Sequence, residues 1–181
     1  MNILICYAST EGQTRKIALQ AAETVMKLGH KVSVENAVIA EELDIEHFDA
    51  AILAGSVHIG RYQTALVHRI AEWLEGLKSM PSAFISVTLS AAGDENDLED
   101  AKRCAAKLAD ETGWTADMVH HAAGALRFTQ YDFFKRWAMR FIAMQKGEKA
   151  DTSKDVEYTD WVALESFLAA FVNYAAEKKV T

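Results

Sequence analysis

The sequence predicts an α/β fold in which a five-stranded parallel sheet carries helices on both faces. Five short runs have the length and apolar pattern of strands, and stretches with helical spacing of apolar residues separate them. Parallel strands need long crossover connections, so this alternation indicates a parallel sheet with right-handed crossovers. The chain has 181 residues, of which 50% are hydrophobic and 25% charged, and this fits a single domain spanning 1–181.

The first half of the chain supplies three strands and two helices. Its first strand is a continuous apolar run, as expected for a strand buried on both faces, and Gly29 suits a left-handed stop after the helix that follows. The second strand alternates, and the third is again apolar. The predicted strands are 3–7, 31–34 and 50–54, and the predicted helices are 13–28 and 63–77.

The second half supplies two strands and three helices. Pro81 precedes the fourth strand, and Gly113 ends a helix whose acidic residues come early and whose basic residues come late, as the helix dipole favours. His120 and His121 fall on the fifth strand, where alternation predicts one buried and one partly exposed imidazole. The predicted strands are 83–89 and 117–126, and the predicted helices are 94–112, 131–146 and 159–177.

Charge and composition exclude several classes of function. A net charge of −7 argues against nucleic-acid binding, which needs a basic surface. The N-terminus lacks the features of a signal peptide, and no apolar run approaches the ~20 residues of a membrane span, so we expect a cytoplasmic protein. Cys6 and Cys104 are predicted to be reduced thiols, and no spacing of Cys or His suggests a metal site. Nothing in these features fixes an oligomeric state.

Three loops are predicted to open on one edge of the sheet, because each follows the carboxyl end of a strand. These loops span 9–14, 55–62 and 88–93. Ligands of doubly wound sheets bind beyond the carboxyl ends of the strands, where the strand order reverses. The ligand site is therefore expected among these loops.

The first of these loops has the composition of an anion site. It runs into a helix N-terminus, where unpaired N–H groups and the helix dipole attract negative charge. Ser9, Thr10 and Thr14 add hydroxyl donors, and Gly12 lets the backbone close around a guest. A terminal phosphate fits this set, whereas the GxGxxG and GxxxxGK patterns of other nucleotide sites are absent from it. The alternative is that Ser9 and Thr10 simply cap the helix.

A Tyr-x-Ser-x-x-Gly-x-Thr-x-x-x-Ala pattern is filled by Tyr7, Ser9, Gly12, Thr14 and Ala18, and it resembles the phosphate-binding signature of flavodoxins. The resemblance implies a three-layer sandwich with strand order 2-1-3-4-5 and a noncovalent FMN. The first loop is then expected to wrap the phosphate, and the other two to flank the isoalloxazine ring. The implied FMN contacts are Ser9, Thr10, Glu11, Gly12, Gln13, Thr14, Ser56, Val57, His58, Ile59, Gly60, Tyr62, Thr88, Leu89 and Ser90.

The expected roles of three of these contacts are more specific. Glu11 and Gln13 are expected to act mainly through their backbone. Tyr62 is expected either to stack on the ring or to begin the next helix.

A wider resemblance covers nearly the whole chain. The stretches MPSAFISV at 80–87, AGALRFTQYDFFKRWAMRF at 123–141 and DTSKDVEYTDW at 151–161 resemble the flavodoxin-like, quinone-dependent protoporphyrinogen IX oxidases of bacterial haem synthesis. The resemblance implies an FMN-dependent dehydrogenase that takes six hydrogens from protoporphyrinogen IX in two-electron steps and passes them to a membrane quinone. The alternatives are an electron-transfer flavodoxin, favoured by the acidic remainder of the chain, and a flavin-dependent quinone reductase.

The segment 127–146 combines basic and aromatic side chains in one helical pattern. Residues 127–149 hold six basic and two acidic residues, a net charge of +4 against −11 for the rest of the chain. Apolar side chains form a stripe that Lys135, Arg136 and Arg140 avoid, and this pattern is typical either of a core helix or of a helix lying on the inner face of an anionic membrane. Arg127 is a candidate for binding a substrate propionate, with a salt bridge or a helix cap as the alternative.

His58 is the only imidazole in the predicted flavin loops. Because imidazole titrates near neutral pH, His58 is either a proton acceptor during substrate oxidation or a solvated loop residue. The region 90–113 departs from the oxidase resemblance, since it is acidic at its start and helical in pattern. Such a region is expected to disfavour contact with an anionic membrane or with two propionates.

Overall fold

The structure is a computed structural model that describes residues 1–39, 43–93, 95–126 and 156–180. A five-stranded sheet has the order β2-β1-β3-β4-β5 with every pair parallel, which confirms the predicted topology. A further pair, β6 and β7, is antiparallel. The strands are β1 Asn2–Ala8, β2 Lys31–Asn36, β3 Ala50–Ser56, β4 Ser82–Thr88, β5 Met118–Ala123, β6 Ala125–Leu126 and β7 Val156–Glu157.

Helices cover both faces of the sheet, so the three-layer arrangement is also confirmed. One core lies between the sheet and the first and last helices, and the other lies between the sheet and the middle helices. Short 3-10 turns occupy Ile45–His47 and Leu89–Ala92. The described α-helices are α1 Gln13–Lys27, α2 Thr64–Glu72, α3 Leu74–Ser79, α4 Glu95–Thr112 and α5 Trp161–Val180.

The prediction of one helix over 63–77 was wrong, because the chain turns at Trp73 and forms α2 and α3. Trp73 N–H still donates to the Arg69 carbonyl, but its φ of −99° departs from helical geometry. The turn allows both Trp73 and Leu77 to be buried in the same core. It also brings Gly76 against Ile45, where an added Cβ would lie 2.5 Å from Cγ2.

The prediction of one strand over 117–126 was also wrong. The strand leaves the sheet after Ala123, because its neighbour β4 ends at Thr88, whose carbonyl accepts the Gly124 N–H at 3.2 Å. The chain then pairs with β7, and the Tyr158 N–H donates to the Gly124 carbonyl. The predicted helix at 131–146 lies outside the described residues.

Both cysteines are free, as predicted. Burial raises the pKa of the Cys6 thiol to about 12, against a smaller opposing effect of the Arg69 charge, so this thiol is an inert core residue. Among the helices that the structure describes, none has the length and hydropathy to cross a membrane. Within the same residues no three His, Cys, Asp or Glu side chains cluster as metal ligands would.

The two strand histidines are both half-buried, which corrects the expectation of one buried and one partly exposed ring. His120 stacks on Phe167 of α5, with ring centroids 5.0 Å apart. His121 occupies the opposite face, toward α4 and Lys102. Burial, assisted by neighbouring positive charge, lowers the pKa of both rings below 6.5.

Acid should therefore destabilise the fold through His120. Since its pKa is lower in the folded than in the unfolded state, the unfolded chain binds the proton more tightly, and stability is lost as pH falls through 6.5. We expect the urea midpoint to decrease from about pH 7.5 to about pH 5.5, and His120→Phe to make that decrease smaller. His68→Gln, which changes an exposed histidine of α2, should leave it unaltered. An equal decrease in all three proteins would contradict the assignment.

Candidate functional site

A cavity of about 600 Å³ lies at the carboxyl edge of the sheet. The loops that follow β1, β3 and β4 meet there, as expected for ligand-binding loops of a parallel sheet. Helix α4 and the turn after β5 complete the walls. The lining residues are Ser9, Glu11, Gln13, Thr14, Ser56, Val57, His58, Ile59, Gly60, Val87, Thr88, Leu89, Ser90, Asp100, Ala101, Arg103, Cys104, Lys107, Gly124 and Ala125.

The first loop places the N-terminus of α1 at this cavity. The N-cap of α1 is Gly12, with a φ of 89° that glycine adopts without strain, and no side chain of the described residues caps the helix. Ser9 Oγ accepts the Gly12 N–H at 3.0 Å, and Thr10 Oγ1 accepts from Gln63 Nε2 at 3.2 Å. These hydroxyls therefore brace the loop and do not cap the first turn of α1, which leaves its N–H groups to a ligand.

Thr14 has a buried hydroxyl group that a ligand could satisfy. It lines the cavity and is 1% exposed, yet its Oγ1 has no hydrogen-bond partner among the described residues. A buried hydroxyl without a partner is unfavourable, so a ligand oxygen at this position would satisfy it. The orphaned hydroxyl and the open amides of α1 fit a group with several acceptor oxygens.

Gln13 has a role that its position in the motif did not reveal. Its buried Nε2 donates to Thr159 Oγ1 at 2.9 Å and to Glu157 Oε1 at 3.2 Å. Thr159 Oγ1 in turn donates to the Ala123 carbonyl at 2.7 Å, and Lys16 Nζ lies 2.6 Å from Glu157 Oε2. The segment at 156–159 thus fixes the start of α1 through these contacts with Gln13 and Lys16.

The second loop forms a tight turn at the cavity mouth. The His58 N–H donates to the Arg61 carbonyl at 2.7 Å, and Ile59 and Gly60 both have positive φ, at 50° and 73°. That geometry leaves the Ile59 side chain 85% exposed beside the cavity. His58 Nδ1 lies 3.7 Å from Glu11 Oε1, so the first two loops approach each other through this pair.

Tyr62 lies away from the cavity, which corrects the expectation that it either stacks on a ring ligand or begins the next helix. Its side chain is 9% exposed, its hydroxyl is hydrogen-bonded to Ser86 Oγ at 2.8 Å, and its ring packs edge-on against Phe84. Burial raises the pKa of this phenol well above its usual value. Tyr62 is therefore a core residue, and α2 begins at Thr64.

Thr10 and Gly12 shape the first loop without lining the cavity.

Helix α4 contributes a wall that the sequence analysis did not predict. Asp100, Arg103, Cys104 and Lys107 line the cavity on this side, and Cys104 Sγ lies 4.0 Å from the Gly60 carbonyl. The four positions share one helical face, since they are three or four residues apart, and that spacing was the available signal. The acidic character expected of 90–113 is concentrated in the first turns of α4, whereas the wall itself carries two cations.

Arg127 and the segment 127–146 lie outside the described residues.

Comparison with solved structures supports the fold. A short-chain flavodoxin associated with a bacterial microcompartment superposes with a TM-score of 0.58 and 13% identity, over 97% of this chain and 99% of that one. The flavodoxin of Streptococcus pneumoniae TIGR4 gives 0.52 and 17% identity, over 98% and 99%. These likenesses concern the fold alone.

Comparison of sequences identifies the family. A family model described as flavodoxin domain matches residues 4–154. Protoporphyrinogen IX dehydrogenase (quinone) of Escherichia coli K12 is 34% identical over 167 residues, 92% of either chain. The Leishmania major protein of the same name is 27% identical over 93% of this chain and 73% of that protein. The chain therefore belongs to the flavodoxin-domain family and, within it, to the family of the quinone-dependent protoporphyrinogen IX dehydrogenases.

Proposed function

We propose that this chain is an FMN-dependent dehydrogenase that oxidises protoporphyrinogen IX and delivers the electrons to a quinone. The observation that carries the proposal is a cavity that joins the start of α1, with its orphaned Thr14 hydroxyl, to apolar lining residues such as Val57, Ile59 and Leu89. The substrate and the acceptor are proposed from the name of the Escherichia coli relative, of whose length this chain covers 92%.

The residues of the cavity suit the two ends of FMN. The phosphate would accept hydrogen bonds from Thr14 Oγ1 and from the first N–H groups of α1, where the helix dipole also favours its charge. The ring would lie between the loop at Val57–Gly60 and the loop at Thr88–Ser90. When bound, FMN supplies the two-electron redox chemistry between the substrate and the quinone.

The protein itself positions the reactants and receives a proton. His58 is our candidate for accepting the proton that each two-electron oxidation releases from the tetrapyrrole, because its half-exposed ring lies at the cavity mouth. Glu11, 3.7 Å away, would stabilise the resulting imidazolium. Ile59 and Leu89 offer apolar surface to the macrocycle and keep water from the ring edge.

We further propose that the segment 127–146 brings the cavity to the inner face of the membrane, where the quinone is dissolved. Its support is the sequence pattern of basic residues beside an apolar stripe. The propionate role of Arg127, the first residue of this segment, belongs to the same proposal. Electron delivery would then need no soluble carrier.

The purified protein should be yellow and should release FMN on denaturation. Under anaerobic conditions it should convert protoporphyrinogen IX to fluorescent porphyrin only when a quinone is supplied, and a reaction without protein corrects for spontaneous oxidation. Flavin without quinone-dependent porphyrin formation would favour the electron-transfer flavodoxin. Quinone reduction by a nicotinamide cofactor, without porphyrinogen oxidation, would favour the quinone reductase.

A further inference from the structure

The cavity has a cationic edge that the binding of FMN phosphate does not use. Arg103 and Lys107 lie one helical turn apart on the face of α4 that lines the cavity. The phosphate end of the cavity, at Thr14 and the start of α1, is formed by another part of the fold. The α4 edge instead adjoins the tip of the second loop, since Cys104 Sγ is 4.0 Å from the Gly60 carbonyl.

The charges on this edge are only partly neutralised. Arg103 is paired with Asp100, which also lines the cavity. Lys107 forms no ion pair with any residue that the structure describes, and its exposed side chain lines the cavity. The other carboxylate of the lining, Glu11, faces His58 at 3.7 Å. Among the described residues, the α4 edge therefore keeps one positive charge without an ion-pair partner, next to a guanidinium that presents several donors.

We propose that Lys107 and Arg103 bind a carboxylate of the substrate, and this inference rests on the proposed function. A porphyrinogen is an apolar macrocycle, puckered at its four sp3 meso carbons, with two flexible propionates at one edge. The apolar lining near Ile59 and Leu89 suits the macrocycle, and the α4 edge suits a propionate at the mouth. Lysine acts as a point charge, and arginine adds a planar fork that matches a carboxylate.

A competing explanation is that Lys107 and Arg103 interact with the flavin and not with the substrate. They could attract the negative charge that FMN gains on reduction, in which case they would serve any substrate equally. A substrate analogue without carboxylates separates the two explanations, because it removes the propionate contact and leaves the flavin unchanged. The porphyrin dimethyl ester is such an analogue.

The test measures binding of protoporphyrin IX and of its dimethyl ester to the FMN-loaded protein, by fluorescence titration in dilute detergent. Lys107→Glu and Arg103→Glu should each weaken diacid binding by about fivefold, the upper end of what an exposed charge pair contributes. Binding of the ester should change by less than about twofold. Lys107→Arg should retain diacid binding. The matched control is Lys102→Glu, which makes the same charge change on α4 at a residue outside the cavity lining.

Three results would overturn the inference. They are an unchanged diacid affinity in both reversal variants, an equal loss for the ester, and an equal loss in Lys102→Glu. The measurement does not depend on turnover. A wild-type protein that binds the diacid through Lys107 but forms no porphyrin would contradict the proposed function and leave the carboxylate site standing.

Discussion

Thr14→Val should weaken FMN binding by about ten- to a hundredfold and leave the FMN-free protein at least as stable as the wild type. The loss corresponds to one hydrogen bond to a charged phosphate, about 1.5–3 kcal/mol. Valine keeps the shape and β-branching of threonine and replaces the hydroxyl by a methyl group. In the free protein this hydroxyl is 1% exposed and has no partner among the described residues, so its removal relieves a buried unsatisfied group.

Thr24→Val is a matched control for this experiment. Thr24 lies on the same helix, is also buried and also has an Oγ1 without a partner among the residues described, but it does not line the cavity. Its replacement should affect urea stability as Thr14→Val does, and FMN affinity should stay at the wild-type value. FMN dissociation constants come from flavin fluorescence, which is quenched on binding. A Thr14→Val protein with full FMN affinity, or an equal loss in Thr24→Val, would refute the phosphate assignment.

The sequence predicted the sheet and the anion loop because both depend on local patterns. Continuous apolar runs identify strands buried on two faces, and the strand order was implied by the resemblance of the motif around Ser9, Gly12 and Thr14 to that of flavodoxins. Hydroxyls and glycine before a helix indicate an anion site for local reasons as well, since the helix start itself supplies the donors. Of the fifteen expected FMN contacts, twelve line the cavity, and Thr10, Gly12 and Tyr62 do not.

The features that the sequence analysis predicted wrongly, or did not predict, depend on tertiary contacts. The helical spacing of apolar residues continues through Trp73. The chain nevertheless turns there, because the turn buries both Trp73 and Leu77 in the core that contains Ile45. Tyr62 ends a loop that contains Gly60, a position that suits a ring-stacking residue, but its hydroxyl is hydrogen-bonded to Ser86 and its ring lies in the core. The α4 wall was hidden because summed charge over 90–113 obscures which helical face points to the cavity.

Gly55→Ala should destabilise the protein by about 1–3 kcal/mol, the range of an overpacked core. An added Cβ would lie 2.4 Å from Leu66 Cδ2 and 3.1 Å from Tyr62 Cδ1. Neither side chain can withdraw freely, because Leu66 is fully buried and the Tyr62 hydroxyl is held by Ser86. Gly55 lies directly before the second loop, so the strain should also displace Ser56–Gly60 and lower FMN affinity.

A double-mutant cycle with Leu66→Ala tests this explanation. Leu66→Ala alone should cost about 2–5 kcal/mol by leaving a cavity, and that cavity is where the new methyl group would go. The effect of Gly55→Ala should therefore be much smaller in the Leu66→Ala background, which gives a coupling energy of about 1 kcal/mol or more in urea unfolding. Gly124→Ala is the control for a glycine-to-alanine change without overlap, since among the described residues its Cβ would meet no atom closer than 3.8 Å. Additive effects of the two substitutions would mean that Gly55 is required for another reason than the close approach of Leu66.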